Sequence, residues 1–146
     1  MNTVLIFLWT WAAFIAMSFW ESSAEGRNAW GRKMVGWKVR IFKNISITRY
    51  HFYLAWIMLP LLMTLPLVIY GWNLQLFGIL VSAYCSGLII EDFFWYVVNP
   101  EVKLKEFWTN FSDYYPWIKI NGKKIIPVFY LVGIGIAILS WLLIWG

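Results

Sequence analysis

Five side chains in this sequence are of types, and at spacings, that could do chemistry together. Glu21 and Glu25 stand one helical turn apart, Glu91 and Asp92 adjoin each other, and His51 is the only histidine. Their surroundings are unusual for charged groups. Glu91-Asp92 is preceded by Gly87-Leu88-Ile89-Ile90 and followed by Phe93-Phe94-Trp95-Tyr96-Val97-Val98, and Glu21 follows an uncharged stretch rich in Trp and Phe. An ionisable group at membrane depth costs about 2.5–3.5 kcal/mol on insertion scales, so such groups face a bundle interior and take a partner there. Three chemistries fit. Carboxylates with one imidazole suit a hard or borderline divalent ion, which would activate water against a lipid headgroup or another interfacial ester. The same carboxylates could exchange a proton or cation against a transported substrate. Paired with Arg27, Arg49 or His51, they would instead tie helix ends together. Glu91, Asp92 and His51 are therefore the catalytic candidates. Glu21, Glu25, His51, Glu91 and Asp92 are the candidate metal ligands, with a divalent ion as the only cofactor the residues suggest.

The elements that must position these residues are membrane spans. Of 146 residues, 62% are hydrophobic and 13% charged, against roughly 45–50% and about 25% in soluble domains. A chain this short cannot hide that excess in a globular core. Four apolar stretches, 3–20, 50–70, 74–98 and 126–145, approach the roughly 20 residues that cross a bilayer as helix. Glu21-Ser22-Ser23-Ala24-Glu25 fits a cleavage site poorly and no Lys or Arg precedes Arg27, so the first stretch reads as a retained helix. Pro60 and Pro66 should kink the second span or open gaps in its hydrogen-bond ladder. Gly71-Trp72-Asn73 makes a tight turn into the third. The fold class is all-α integral membrane, a single four-span domain.

Charge orients it. All twelve Lys and Arg fall in two segments: Arg27, Arg32, Lys33, Lys38, Arg40, Lys43 and Arg49, then Lys103, Lys105, Lys119, Lys123 and Lys124. Basic loops stay in the cytoplasm, which places both termini outside. That topology brings Glu21, Glu25, His51, Glu91 and Asp92 to one depth on the cytoplasmic side, with Arg49, Tyr50 and Tyr53. Successive helix positions are about 100° apart, so one of Glu91 and Asp92 is expected to face the bundle axis. Glu91 is favoured because Gly87 and Tyr84 share its face. Asp92 would meet Arg49 or a backbone N–H.

The basic loops admit two readings. Trp37–Thr48 alternates in part, with Val39, Ile41, Ile45 and Ile47 on the apolar beat. Segment 117–126 carries Asn121-Gly122 between alternating flanks, a signal for a β-hairpin. A small cytoplasmic sheet is one outcome, and basic loops lying on anionic lipid headgroups are the other. Gly26, Gly31 and Gly36 recur every five residues, which matches neither a helix face nor a phosphate loop. Small residues at Gly78, Ser82 and Ser86, and at Ala83 and Gly87, mark close helix contacts, and Gly133 and Gly135 interrupt the last span. The bundle leaves surface for a homo-oligomer or a larger complex. The Trp and Tyr residues read mainly as interfacial anchors, and Cys85 as a buried packing residue. Nucleic acid is not an expected partner, and the Asn44 and Asn110 sequons fall on the cytoplasmic side.

The stretch Glu91-Asp92-Phe93-Phe94-Trp95-Tyr96-Val97-Val98-Asn99-Pro100 resembles a motif of small, uncharacterised prokaryotic four-helix membrane proteins, in which an acidic pair, a Trp and an Asn-Pro recur. In that family a later Trp-rich segment carries a His that Tyr115-Pro116-Trp117 lacks. The resemblance implies a cell-membrane protein in which Glu91, Asp92, Trp95 and Asn99 act as a unit, and implies no activity. The leading expectation is an accessory or structural membrane subunit with an acidic cluster at its cytoplasmic interface. The alternatives are a metal-dependent enzyme acting on a lipid-like substrate there and a small proton- or cation-coupled transporter.

Overall fold

In the computed structural model, residues 2–29, 36–42 and 45–146 are described. Four helices are long and apolar enough to cross a membrane: α1 (Thr3–Glu25), α2 (Arg49–Tyr70), α3 (Leu74–Val98) and α4 (Val128–Trp145). Two separate antiparallel hairpins join them, β1 (Lys38–Phe42) with β2 (Ile45–Thr48), and β3 (Trp117–Ile120) with β4 (Lys123–Pro127). The fold is mostly helical rather than all-α, and the strands form two ribbons instead of one sheet. Arg32, Lys33, Gly31, Lys43 and Asn44 lie outside the described residues.

Two boundaries differ from the sequence expectation. α1 runs past Trp20 to Glu25, because Ser22 and Ser23 return their hydroxyls to the Phe19 carbonyl at 3.0 and 2.8 Å instead of breaking the turn. Gly26 ends it at φ 53°, its N–H on the Ser22 carbonyl. α4 begins at Val128 rather than 126, since Ile126 and Pro127 still pair with Ile118 and Trp117 in the ribbon. At the tip of that ribbon Asn121 and Gly122 have φ of 50° and 77°, the left-handed pair that a two-residue turn of this kind requires.

α3 is the centre of the bundle. In its most apolar window 39% of residues are buried, against 6% in α2. Its small residues serve both neighbours. Ser140 donates to the Gly78 carbonyl at 2.8 Å, Ser82 to the Ala137 carbonyl at 3.0 Å, and Trp145 to Ser82 at 2.9 Å, which fastens α4. On the α1 side, Trp11 donates to Ser86 at 2.8 Å and Phe14 packs over Gly87. A Cβ on Gly87 would stand 2.3 Å from the Phe14 ring.

The prolines of α2 leave a visible mark. Phe52–Met58 winds as a π-helix, in which each carbonyl awaits an N–H five residues on. For Ala55 that residue is Pro60, which has none. The Tyr84 hydroxyl of α3 donates to the Ala55 carbonyl in its place. Beyond α3, residues 99–117 fold into a cap with two short 3-10 turns, Leu104–Trp108 and Asn110–Ser112. Phe107, Val102 and Tyr115 pack there against Trp95, Tyr96 and Tyr130 as a buried aromatic core. The aromatic residues thus divide: Trp9, Trp56 and Trp72 are exposed on the helical surface, whereas Trp95, Tyr96 and Phe107 are packing residues.

Overpacking a close helix contact costs about 1–3 kcal/mol. Gly87→Leu is therefore expected to lower the thermal midpoint of the purified protein, and Phe14→Ala in the same chain to recover part of the loss. Gly135→Ala, whose Cβ would meet nothing within 4 Å, should leave the midpoint unchanged or slightly raised.

Candidate functional site

The five candidate residues meet. Glu21, Glu25, His51, Glu91 and Asp92 line one cavity of ≈ 60 Å³, closed by Ala29, Trp95 and Tyr114. α1 supplies Glu21 and Glu25 because it stays helical to residue 25, which sets both carboxyls on the side facing α3. α2 supplies His51 from its first turn, capped by Thr48. α3 supplies Glu91 and Trp95, four residues apart on one face, and Asp92 from the next.

Two of the carboxyls are held by neutral donors: Tyr50 donates to Glu21 Oε1 at 2.8 Å, and Tyr130 to Asp92 Oδ2 at 2.6 Å. The Ser18 hydroxyl, fully buried, donates to the Glu91 backbone carbonyl at 2.9 Å and fixes α1 against α3 at this level. His51 Nδ1 lies 2.6 Å from Thr48 Oγ1, and its Nε2 faces Glu25 Oε1 at 3.7 Å. Thr48 already accepts the His51 backbone N–H, so its hydroxyl is set to donate to Nδ1. That assignment puts the proton of a neutral imidazole on Nε2, toward Glu25.

The sequence expectation for Glu91 and Asp92 needs correction. Both reach the cavity, because it lies between α1 and α3 on one side and the aromatic cap on the other. Asp92 meets Tyr130 of α4, not Arg49. Nor do the arginines pair with the cluster. Arg27 turns outward to Glu106 at 2.7 Å and to the Glu101 carbonyl at 2.6 Å. Arg49 lies along Gly36 and sends its N–H to the Trp37 carbonyl. Lys124 is held by Asp113, Ser112 and Thr109 in the cap. Among the described residues no Lys or Arg lines the cavity. Four polar atoms here are buried without a hydrogen bond: Glu25 Oε1, Glu91 Oε1, Trp95 Nε1 and Tyr115 OH. No three of the His, Cys, Asp and Glu side chains among the described residues are disposed as a ready-made metal-binding set.

Trp95, Tyr50, Tyr114 and Tyr130 belong to the site beside the five candidates. Trp95 is signalled by the motif it shares with Glu91 and Tyr50 by its depth, whereas Tyr114 and Tyr130 carry no signal. Outside the helices, burial and the nearby Asp92 hold the Tyr114 and Tyr115 phenols well above their ordinary range, so both remain O–H donors. Tyr114 also shares a hydrogen bond with Tyr96. Asn99, the last polar residue of the motif, fastens the whole end. Its amide donates to the Gly26 carbonyl at 2.9 Å, and its Oδ1 accepts from Glu101 and Val102 at 2.8 and 3.0 Å. Glu91, Trp95 and Asn99 thus follow one another down the α1-facing side of α3.

No protein-family model matches this sequence, and comparisons with curated proteins and with solved structures find no match.

Asn99→Ala removes three hydrogen bonds and strands buried backbone groups, a loss of about 1–3 kcal/mol. The expected result is a lower thermal midpoint and faster proteolysis between Gly26 and Lys103. A pH effect follows from Glu106, whose carboxyl Arg27 and the Lys103 backbone N–H hold down at about 2. Its ordinary value is 4.5, so its stabilising contribution is complete above that value and is lost as the pH falls through about 2. Carboxyl NMR should show Glu106 titrating near that lower value, and Arg27→Gln should return it toward 4.5.

Proposed function

We propose that this chain is a four-span protein of the prokaryotic cell membrane, with both termini outside, whose working centre is the acidic cavity at the cytoplasmic boundary. We propose further that the centre takes up a cation and gives up a proton in return. One observation carries this reading. Four carboxyl groups share a space of ≈ 60 Å³ that no Lys or Arg among the described residues lines, and two of their oxygens are buried without any partner. Burying several carboxylates uncompensated is too costly to sustain, so protons or a bound cation must neutralise them.

The orientation rests on the confinement of all twelve Lys and Arg to the two segments that flank the cavity. Exposed basic and apolar side chains alternate on the ribbons, Val39 beside Lys38 and Arg40, Ile118 and Ile120 beside Lys119. Such surfaces suit anionic headgroups. A role as helix staples is left to His51, which faces Glu25 at 3.7 Å, since Arg27 turns to Glu106. A metal-dependent enzyme would find its donors here, but they would have to draw together around the ion. An accessory subunit role has one observation in its favour: α2 is nearly uncovered along its length. That reading predicts co-purification with a fixed membrane partner. The likeness of residues 91–100 to small four-helix membrane proteins is part of the proposal, since Glu91, Trp95 and Asn99 lie along one face of α3.

The test uses purified protein in nanodiscs of phosphatidylcholine, titrated with Mn²⁺ and separately with methylammonium in weakly buffered solution. The expected outcome is saturable binding of at least one cation with release of a proton. Glu91→Gln should weaken binding tenfold or more and abolish the release. Absence of any Glu91-dependent binding or proton release would sink the reading.

A further inference from the structure

A second and larger cavity accompanies the acidic one. It measures ≈ 840 Å³ and opens among α1, α2 and α3 toward the other end of the bundle, between Leu5, Ala13 and Met17 of α1 and Leu59, Leu62 and Pro66 of α2. Its lining is almost wholly apolar. It exists because α2 stands off from α1, fastened to α3 chiefly through the Tyr84–Ala55 bond. The two cavities follow one another along α1. Phe14 and Met17 line the apolar one, and Glu21 lies two turns beyond the first and one beyond the second. Met17 to Glu21 is about 6 Å of helix at 1.5 Å per residue.

The acidic end specifies more than a positive charge. Glu25 Oε1 and Glu91 Oε1 are acceptors without donors, and Trp95 Nε1 is a donor without an acceptor. These residues are only 6%, 8% and 4% exposed. Trp95 is not part of the acid cluster, yet its indole N–H is buried beside it without an acceptor. A bare metal ion would answer the two oxygens and leave the indole unbonded. A protonated amine would donate to both carboxylates, and an oxygen beside it would accept from Trp95. The rings of Trp95 and Tyr114 lining this end add the attraction that aromatic faces have for ammonium groups.

We infer that the two cavities form a single site for a cationic amphiphile: a protonated amine with a neighbouring oxygen, carried on a hydrocarbon chain. The head lies among Glu25, Glu91 and Trp95, and the chain lies between α1 and α2. This inference rests on the cation-binding reading above and names its ligand class. The amine of a phospholipid headgroup and a free long-chain amino alcohol both have this chemistry.

Calorimetry on the intact protein in phosphatidylcholine nanodiscs tests it, with N-dodecylethanolamine, dodecylamine, dodecanol, ethylamine and Mn²⁺ as probes. N-dodecylethanolamine should bind most tightly, with dodecanol and ethylamine each at least tenfold weaker. Glu91→Gln should remove the preference for amine over alcohol. Trp95→Phe should remove the preference of N-dodecylethanolamine over dodecylamine. Ala13→Trp, remote from the acids, should weaken the dodecyl probes tenfold or more with ethylamine unaffected. Replacing half the nanodisc lipid with phosphatidylethanolamine identifies the source: competition marks the phospholipid amine and its absence a free one, and either supports the site. Equal binding of dodecanol and N-dodecylethanolamine would overturn the inference. So would binding of Mn²⁺ or ethylamine as tight as the dodecyl amines and indifferent to Ala13→Trp, although cation uptake would then stand. No Glu91-dependent binding of any cation would remove both.

Discussion

Taking a carboxylate out of water costs several kcal/mol unless its charge is matched, and at one end of this bundle four carboxyl groups converge on ≈ 60 Å³ that no Lys or Arg among the described residues lines. The arrangement around them answers to that constraint. Tyr50 and Tyr130 bring hydroxyls, not charges, to Glu21 and Asp92. Thr48 orients His51. Arg27 and Lys124 are engaged a few residues away, with Glu106 and with Asp113. Among the described residues the cavity is thus lined without a Lys or Arg, and in the proposed reading a bound cation supplies the missing charge.

The same end of the molecule has to be rigid for such a space to persist. α3 provides the axis, since its small residues admit α1 on one side and α4 on the other. Ser18 and Asn99 then fix α1 to α3 on either side of the cavity, through the Glu91 carbonyl and through the Gly26 carbonyl. The aromatic cap closes this end of the bundle, with Phe107 wedged against Tyr96, Trp117 and Tyr130. By contrast α2 is little buried, so the site joins a well-packed half, made of α1, α3 and the cap, to a helix that contributes His51 and Tyr50.

Much of this was legible in the sequence, for reasons that can be assigned. The spans are long apolar runs, and the Asn121-Gly122 turn is a local backbone preference, so both follow from nearby residues. That Glu21, His51 and Glu91 meet follows from the order and length of the spans, since each sits at the same end of its helix. What escaped depends on contacts between distant residues. Nothing near Tyr130 indicates that it bonds Asp92, which lies 38 residues earlier. The cap was hidden because 3-10 turns of three to five residues have no periodicity to read. Trp95 and Phe107 look like interfacial anchors by type, and only their neighbours make them core. Glu25 entered the site because α1 continues through two serines, a choice made by their bonds to Phe19.

The π-helical stretch of α2 has a consequence for how this site could have arisen. A π turn carries one residue more than the α-helical turn it replaces, and one residue rotates everything beyond it by about 100°. Phe52–Met58 lies between His51 and the apolar body of α2. Without the extra residue, the same helix with the same contacts at Tyr84 would present Tyr50 and His51 to a different neighbour. A single insertion, tolerated because Pro60 had already left the Ala55 carbonyl without an N–H, is thus enough to turn a plain membrane span into one that aims two polar rings at an acidic pocket.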